Sequence, residues 1–136
     1  MPMRAKYFTP EEVDGILPEV EKRLRVVTIA NEAVVRLTED LERSLADDSN
    51  LLEFLEAKKR LNKAISDMHR SVENLEELGC ALKDLAHGLV DFPAKRFGEE
   101  VWLCWRVGET KVSYWHGRRE GFDVRKPLET DLAGLA

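Results

Sequence analysis

Cysteine is scarce in this chain: Cys80 and Cys104 are the only two among 136 residues. Two cysteines cannot form a disulfide framework, and they lack the C-x-x-C spacing of a redox pair or a zinc ribbon. Reduced thiols in a cytoplasmic protein are the expectation. Histidine is nearly as sparse, with three residues and neither the H-E-x-x-H nor the H-x-x-x-H spacing that builds a zinc site on a helix. No apolar stretch opens the chain as a signal peptide would, and none is long enough to span a bilayer. No internal repeat or low-complexity segment stands out. Positive charge is in deficit, with a net of -5 and a pI near 5.3, which disfavours general binding to nucleic-acid backbones. Aromatic residues make up 7% of the chain, and all three tryptophans fall between Trp102 and Trp115.

What is present divides into two compositions. The first 79 residues hold 12 Lys and Arg against 17 Asp and Glu, whereas the remainder is balanced. The acidity therefore belongs to a helical part and solvates its outer faces. A small basic cluster, Arg118-Arg119 with Arg125-Lys126, reads as a solvated loop.

Thr9, Pro10 and Glu12 make a helix start: a cap, a first-turn proline and the partner of a capping box. Pro18 is expected to interrupt this first helix after Leu17. From Glu19 an apolar stripe of Val20, Leu24, Val27, Ala30, Val34, Leu37, Leu41 and Leu45 predicts one long helix. Asp47 to Asn50 breaks it. A second helix follows with Leu51, Phe54, Lys58, Leu61, Ile65, Met68, Val72 and Leu75 at heptad spacing, and Gly79 ends it. Two helices of about 28 residues each form an antiparallel hairpin about 40 Å long. Stripes of that length leave apolar surface exposed, so a homodimer through the hairpin, with coiled-coil character, is expected.

After Gly79 the period changes to that of strands. Cys80 to Asp84, Leu89 to Phe92, Val101 to Val107 and Val112 to His116 alternate or carry branched and aromatic residues. Pro93 marks an end, a bulge or an edge. Phe97 to Glu100 and Gly108 to Lys111 read as turns, Gly117 to Asp123 as a polar loop, and the tail at 129–136 as frayed. The expected architecture is α+β: a short helix and long helical hairpin over residues 1–79, then a small antiparallel meander of three or four strands over residues 80–128, packed on the hairpin as one structural unit.

Chemistry, if present, belongs to the aromatic stretch. A tight turn closing Val107 with Val112 would pair Cys104 with Trp115 and Leu103 with His116. Cys104 and His116 would then face opposite sides of the sheet, and a one-residue slip would bring them to one side. Cys and neutral His are good ligands for a soft metal. Asp91, set among apolar strand residues, and Glu109 complete a candidate set of Asp91, Cys104, Glu109 and His116. Each has a plainer reading as well: Cys104 a small buried hydrophobe, Asp91 a solvent-facing acid, Glu109 a turn residue, His116 a hydrogen-bonding group. A Cys–His nucleophilic pair would need a third residue to orient the His, such as Asp91 or Glu109. His69 and His87 read as surface or turn residues, and the tryptophans first as sheet core.

Tyr7-Phe-Thr9, Leu17-Pro-Glu19, Lys83-Asp-Leu85, Gly88 to Ala94, Leu103-Cys-Trp105, Gly108-Glu109, Tyr114-Trp-His116 and Gly121-Phe122 give the chain a further property. Through them it resembles the bacterial and archaeal family called domain of unknown function 2203, from Lys6 to Leu128. The resemblance implies a small cytosolic protein and transfers no catalytic residue. It draws attention to Gly88 to Ala94, Cys104, Trp105, Glu109 and His116. The leading expectation is a self-associating helical-hairpin interaction module that engages a second copy or another protein, with no membrane, nucleic-acid or cofactor requirement. The alternative is a protein that binds a divalent transition metal or small ligand at the rim of the C-terminal sheet, with an enzymatic role open.

Overall fold

A computed structural model describes residues 6–46 and 50–128. The chain is α+β. Helix α1 spans Pro10–Ala46 and helix α2 spans Leu51–Glu76, forming the hairpin. Five strands follow: β1 Ala81–Asp84, β2 Leu89–Arg96, β3 Glu99–Arg106, β4 Tyr114–Gly117 and β5 Lys126–Pro127. They form one antiparallel sheet in sequence order. Among the described residues, no helix is long and apolar enough to cross a membrane. The expected break at Asp47 to Asn50 lies largely outside the described residues, and the frayed tail lies wholly outside them.

The described residues form two compact units. One joins the segment up to Glu21 with the segment from Glu76, and the other is Lys22–Leu75. In the first unit the capping box closes as expected: Glu12 N donates to Thr9 Oγ1 at 3.2 Å and Thr9 N to Glu12 Oε1 at 3.1 Å. Pro18, however, does not end the helix; α1 runs through it. A proline inside a helix removes one hydrogen bond and costs about 3 kcal/mol. Val13, Leu17 and Val20 are all buried around it, each contributing about 1.5–3 kcal/mol. Keeping that stripe continuous outweighs the missing bond.

In the Lys22–Leu75 unit the seam of α2 differs from the heptad expected. Phe54, Ala57, Leu61, Ala64, Met68, Ser71, Val72 and Leu75 are inward or half-inward, while Lys58 and Ile65 are exposed. Two seam positions move back by one residue, from Lys58 and Ile65 to Ala57 and Ala64. Small side chains there keep the Lys58 ammonium out of an apolar seam, where a charge is costly. Arg23 closes this unit by donating to the Asn74 carbonyl at 2.6 Å.

Strand β2 is longer than expected because Pro93 sits inside it, paired in register with Trp102. β1 reaches only as far as Asp91, so Pro93 lies on a local edge where its missing N–H leaves no ladder bond unmade. Its carbonyl accepts a bond from Phe8 N at 2.7 Å, and the Phe8 and Phe92 rings meet edge to face at 5.5 Å. Phe97 and Gly98, at φ 51 and 76, make the two-residue turn with positive φ that suits a twisted hairpin. β5, at two residues, escapes recognition by pattern alone.

The β3–β4 connection corrects the register expected from the sequence. The strands pair Leu103 with Trp115 and Cys104 with Tyr114, one residue away from the tight-hairpin alignment. The groups that a tight hairpin would pair are engaged elsewhere. Glu109 Oε1 accepts from Arg106 N at 2.7 Å, and its carbonyl accepts from the Trp105 indole at 2.9 Å. Val107 N bonds to the Gly88 carbonyl and Val112 N to Asp14 Oδ1.

Candidate metal centre

The slipped register puts Asp91 of β2, Cys104 of β3 and His116 of β4 on one face of the sheet. Asp91 and Cys104 are direct cross-strand partners, while His116 stands two residues along, opposite Trp102. The other face carries Val90, Phe92, Val101, Leu103, Trp105 and Trp115, all buried. β2 is therefore covered on both sides from Leu89 to Phe92. A residue there must be apolar or fully partnered, and the one polar residue in the run is Asp91.

One donor atom from each of Asp91, Cys104 and His116 lies within 4.8 Å of the other two. Asp91 and His116 are 3% exposed and Cys104 1%, so water does not shield the group. His116 Nδ1 lies 2.9 Å from the Gly117 carbonyl. A carbonyl only accepts, so Nδ1 carries a proton. His116 Nε2 then points at Asp91 Oδ2, 2.8 Å away. Gly117 is held in turn by Glu120, whose Oε1 accepts from Gly117 N at 2.8 Å and from Lys126 Nζ at 2.7 Å.

Burial pushes the Asp91 carboxyl above its usual range, and the charge of and hydrogen bond from His116 oppose it. Burial also pushes the Cys104 thiol up, to about 12, with the Asp91 charge adding to the rise and Arg125 opposing it. Both ring nitrogens of His116 are engaged, one by the Gly117 carbonyl and one by Asp91, so neither is aimed at Cys104 as the base of a nucleophilic pair.

Three of the four candidates come together; Glu109 stands apart, paired with Arg125 at 3.4 Å. The Arg125 guanidinium lies 3.8 Å from the Tyr114 ring centroid and 4.2 Å from that of Phe122, and its charge favours the thiolate form of Cys104. Glu109 thus reaches the cluster through Arg125. This arginine belongs to the basic cluster read from the sequence as solvated. No local pattern in the sequence marks it, because the Tyr114 and Phe122 rings meet its guanidinium only on folding. His87 pairs with Asp84 at 2.7 Å on the surface, and His69 is exposed.

The triad opens onto a cavity of about 230 Å³ whose walls include Lys83, Trp102, Arg118 and Phe122. Lys83 Nζ stands 4.3 Å and Arg118 Cζ 4.9 Å from the Trp102 ring centroid. A larger groove of about 380 Å³, among Asp40, Arg43 and Arg60, holds neither histidine nor cysteine. The family described as "Uncharacterized conserved protein (DUF2203)" matches this chain over residues 6–128. No curated protein and no solved structure matches it.

Proposed function

We propose that this chain, which belongs to the DUF2203 family, binds a divalent transition metal through Asp91, Cys104 and His116. The observation that carries the reading is the convergence of three different ligand atoms, from three adjacent strands, within 4.8 Å. Ligand bonds of about 2.0–2.3 Å in a tetrahedral site set neighbouring ligands about 3.3–3.8 Å apart, so the side chains need only small adjustments. Asp91 Oδ2 and His116 Nε2, which lie 2.8 Å apart, would each give the ion a lone pair. The Gly117 carbonyl that holds His116 Nδ1 supplies the outer-shell contact that metal-binding histidines use to fix tautomer and orientation.

Energetics supports the same reading. Burying an aspartate beside a histidine costs several kcal/mol per ion, and well-packed apolar residues are often as stable or more so. A sheet needing only a filled face has no use for this cluster. A sulfur, an imidazole and a carboxylate together suit zinc or a neighbouring first-row ion. Three protein ligands leave one position open, as in sites where a metal meets a small molecule.

Elemental analysis of tag-free protein, with Cys104→Ser and His116→Ala beside it, tests the reading. One equivalent of metal in the parent chain, lost in both variants, is the expected result. No stoichiometric metal, with both variants equally stable, removes it.

A second reading, self-association of the helical hairpin, is favoured by exposed apolar side chains in the Lys22–Leu75 unit. Leu51 is 71% exposed, Leu52 66% and Ile29 59%, side chains that a second copy of the hairpin would cover. Sedimentation of the intact chain tests it: a dimer is expected, and a strict monomer at high micromolar concentration removes it.

A further inference from the structure

We infer that the molecule meeting the open metal position is a small oxyanion, a phosphate or a carboxylate, held by Lys83 and Arg118 at the wall of the cavity. The inference rests on the metal reading above and adds the class of ligand. The carboxylates of the cavity wall already have partners. Asp84 is engaged at both oxygens, with His87 Nδ1 at 2.7 Å and His87 N at 3.1 Å. Glu120 receives Lys126 and Gly117 N. Asp91 is a metal ligand, and with a Cys104 thiolate it offsets a divalent ion.

Two cations then face the cavity: Lys83, whose charge acts on Asp91 until a metal takes that carboxylate, and Arg118. Arg118 reaches a carboxylate only loosely, with Nε 3.8 Å from Glu100 Oε2, and Glu100 is already the acceptor of the Tyr7 hydroxyl. Lys83 and Arg118 are both held against the indole of Trp102. That contact limits their rotamers while leaving their N–H groups able to donate. A cavity of about 230 Å³ is smaller than pockets that take drug-sized molecules, so the ligand is a small one. Leu89 and Phe122 in the same wall give an organic tail an apolar surface.

The test is visible absorption of the intact chain loaded with one equivalent of Co2+, titrated separately with inorganic phosphate and with acetate. A saturable one-to-one change in the cobalt d–d bands is expected from at least one anion, and which anion acts separates a phosphoryl from a carboxylate ligand. Lys83→Ala and Arg118→Ala should each weaken that binding about tenfold, the scale of one charge-assisted hydrogen bond. Lys95→Ala, which removes a cation over the Tyr7 ring and outside the cavity, should leave it unchanged. Cobalt bands that form but ignore both anions, or that respond to imidazole alone, overturn the inference and leave the metal reading standing. Failure to bind Co2+ at all overturns both.

Discussion

His116 Nε2 and Asp91 Oδ2 meet at 2.8 Å, twenty-five positions apart in the chain and on strands that flank the one carrying Cys104. The contact exists because β3 and β4 pair one residue away from the tight-hairpin alignment. With the tight alignment, His116 would lie on the apolar face among Leu103 and Trp105. Register here decides whether the sheet carries a chemical site at all.

The segment leaving β3 lies against Gly88, whose carbonyl accepts from Val107 N, and this contact yields the first prediction. Gly88 has φ +64, and a Cβ there would lie 2.3 Å from Val107 Cγ1. Overpacking costs about 1–3 kcal/mol, and a left-handed residue with a side chain about 1–2 kcal/mol more. Gly98, at φ +76, has open space around it, so it carries the backbone cost alone. Urea denaturation should show Gly88→Ala destabilised clearly more than Gly98→Ala. Equal losses would mean that the close approach to Val107 contributes nothing.

Cys104 supplies a pH dependence. Its folded pKa is raised from 9.0 to about 12, chiefly by burial. Between those values the metal-free folded chain keeps a proton that the unfolded chain loses. Stability from this group is thus full below pH 9 and falls as pH rises toward 12. Chemical denaturation of chelator-stripped protein from pH 8 to 11 should give a steeper decline in the parent than in Cys104→Ala. Parallel declines would contradict the burial-driven shift.

Tyr7 and Glu100 form a second linked pair at the surface. The Tyr7 hydroxyl donates to the Glu100 carboxylate, which raises the Tyr7 pKa and, with help from Arg118, lowers that of Glu100. The tyrosine contribution is present below pH 10 and is lost as pH rises through the raised value. The glutamate contribution is present above pH 4.5 and is lost as pH falls through the depressed value. Ultraviolet titration should place one tyrosine above the ordinary range, and Glu100→Gln should bring it back. Tyr7→Phe should remove that transition from the parent curve. A Tyr7 transition unmoved by Glu100→Gln would contradict the pairing.

Local signals in the sequence read well. The Thr9–Glu12 box, the Gly79 stop and the turn at Phe97–Gly98 each rest on residues close in the chain, where side-chain chemistry acts directly on the backbone. Sequence and structure part where the deciding interaction is distant in the chain. Pro18 looked like a break because its local cost is plain, whereas the stripe that outweighs it shows only once Val13, Leu17 and Val20 are seen buried. Lys58 and Ile65 fitted the heptad as well as Ala57 and Ala64, and only packing against α1 separates them. Asp91, Cys104 and His116 were identifiable as donor types, but their meeting depends on Glu109 engaging Arg106 and Trp105. Glu109 itself looked like a ligand for the same reason that it shapes the turn: it is an acid placed beside the site.

Cobalt spectroscopy on the intact, reduced chain tests the metal centre most directly. One equivalent of Co2+ should produce a thiolate-to-cobalt band and tetrahedral d–d bands. The thiolate band should be absent in Cys104→Ser, and uptake should weaken at least tenfold in Asp91→Asn and His116→Ala, since loss of an outer-shell partner alone costs about 10–100-fold. Sub-stoichiometric uptake, or uptake that none of the three substitutions alters, would contradict a metal centre at Asp91, Cys104 and His116.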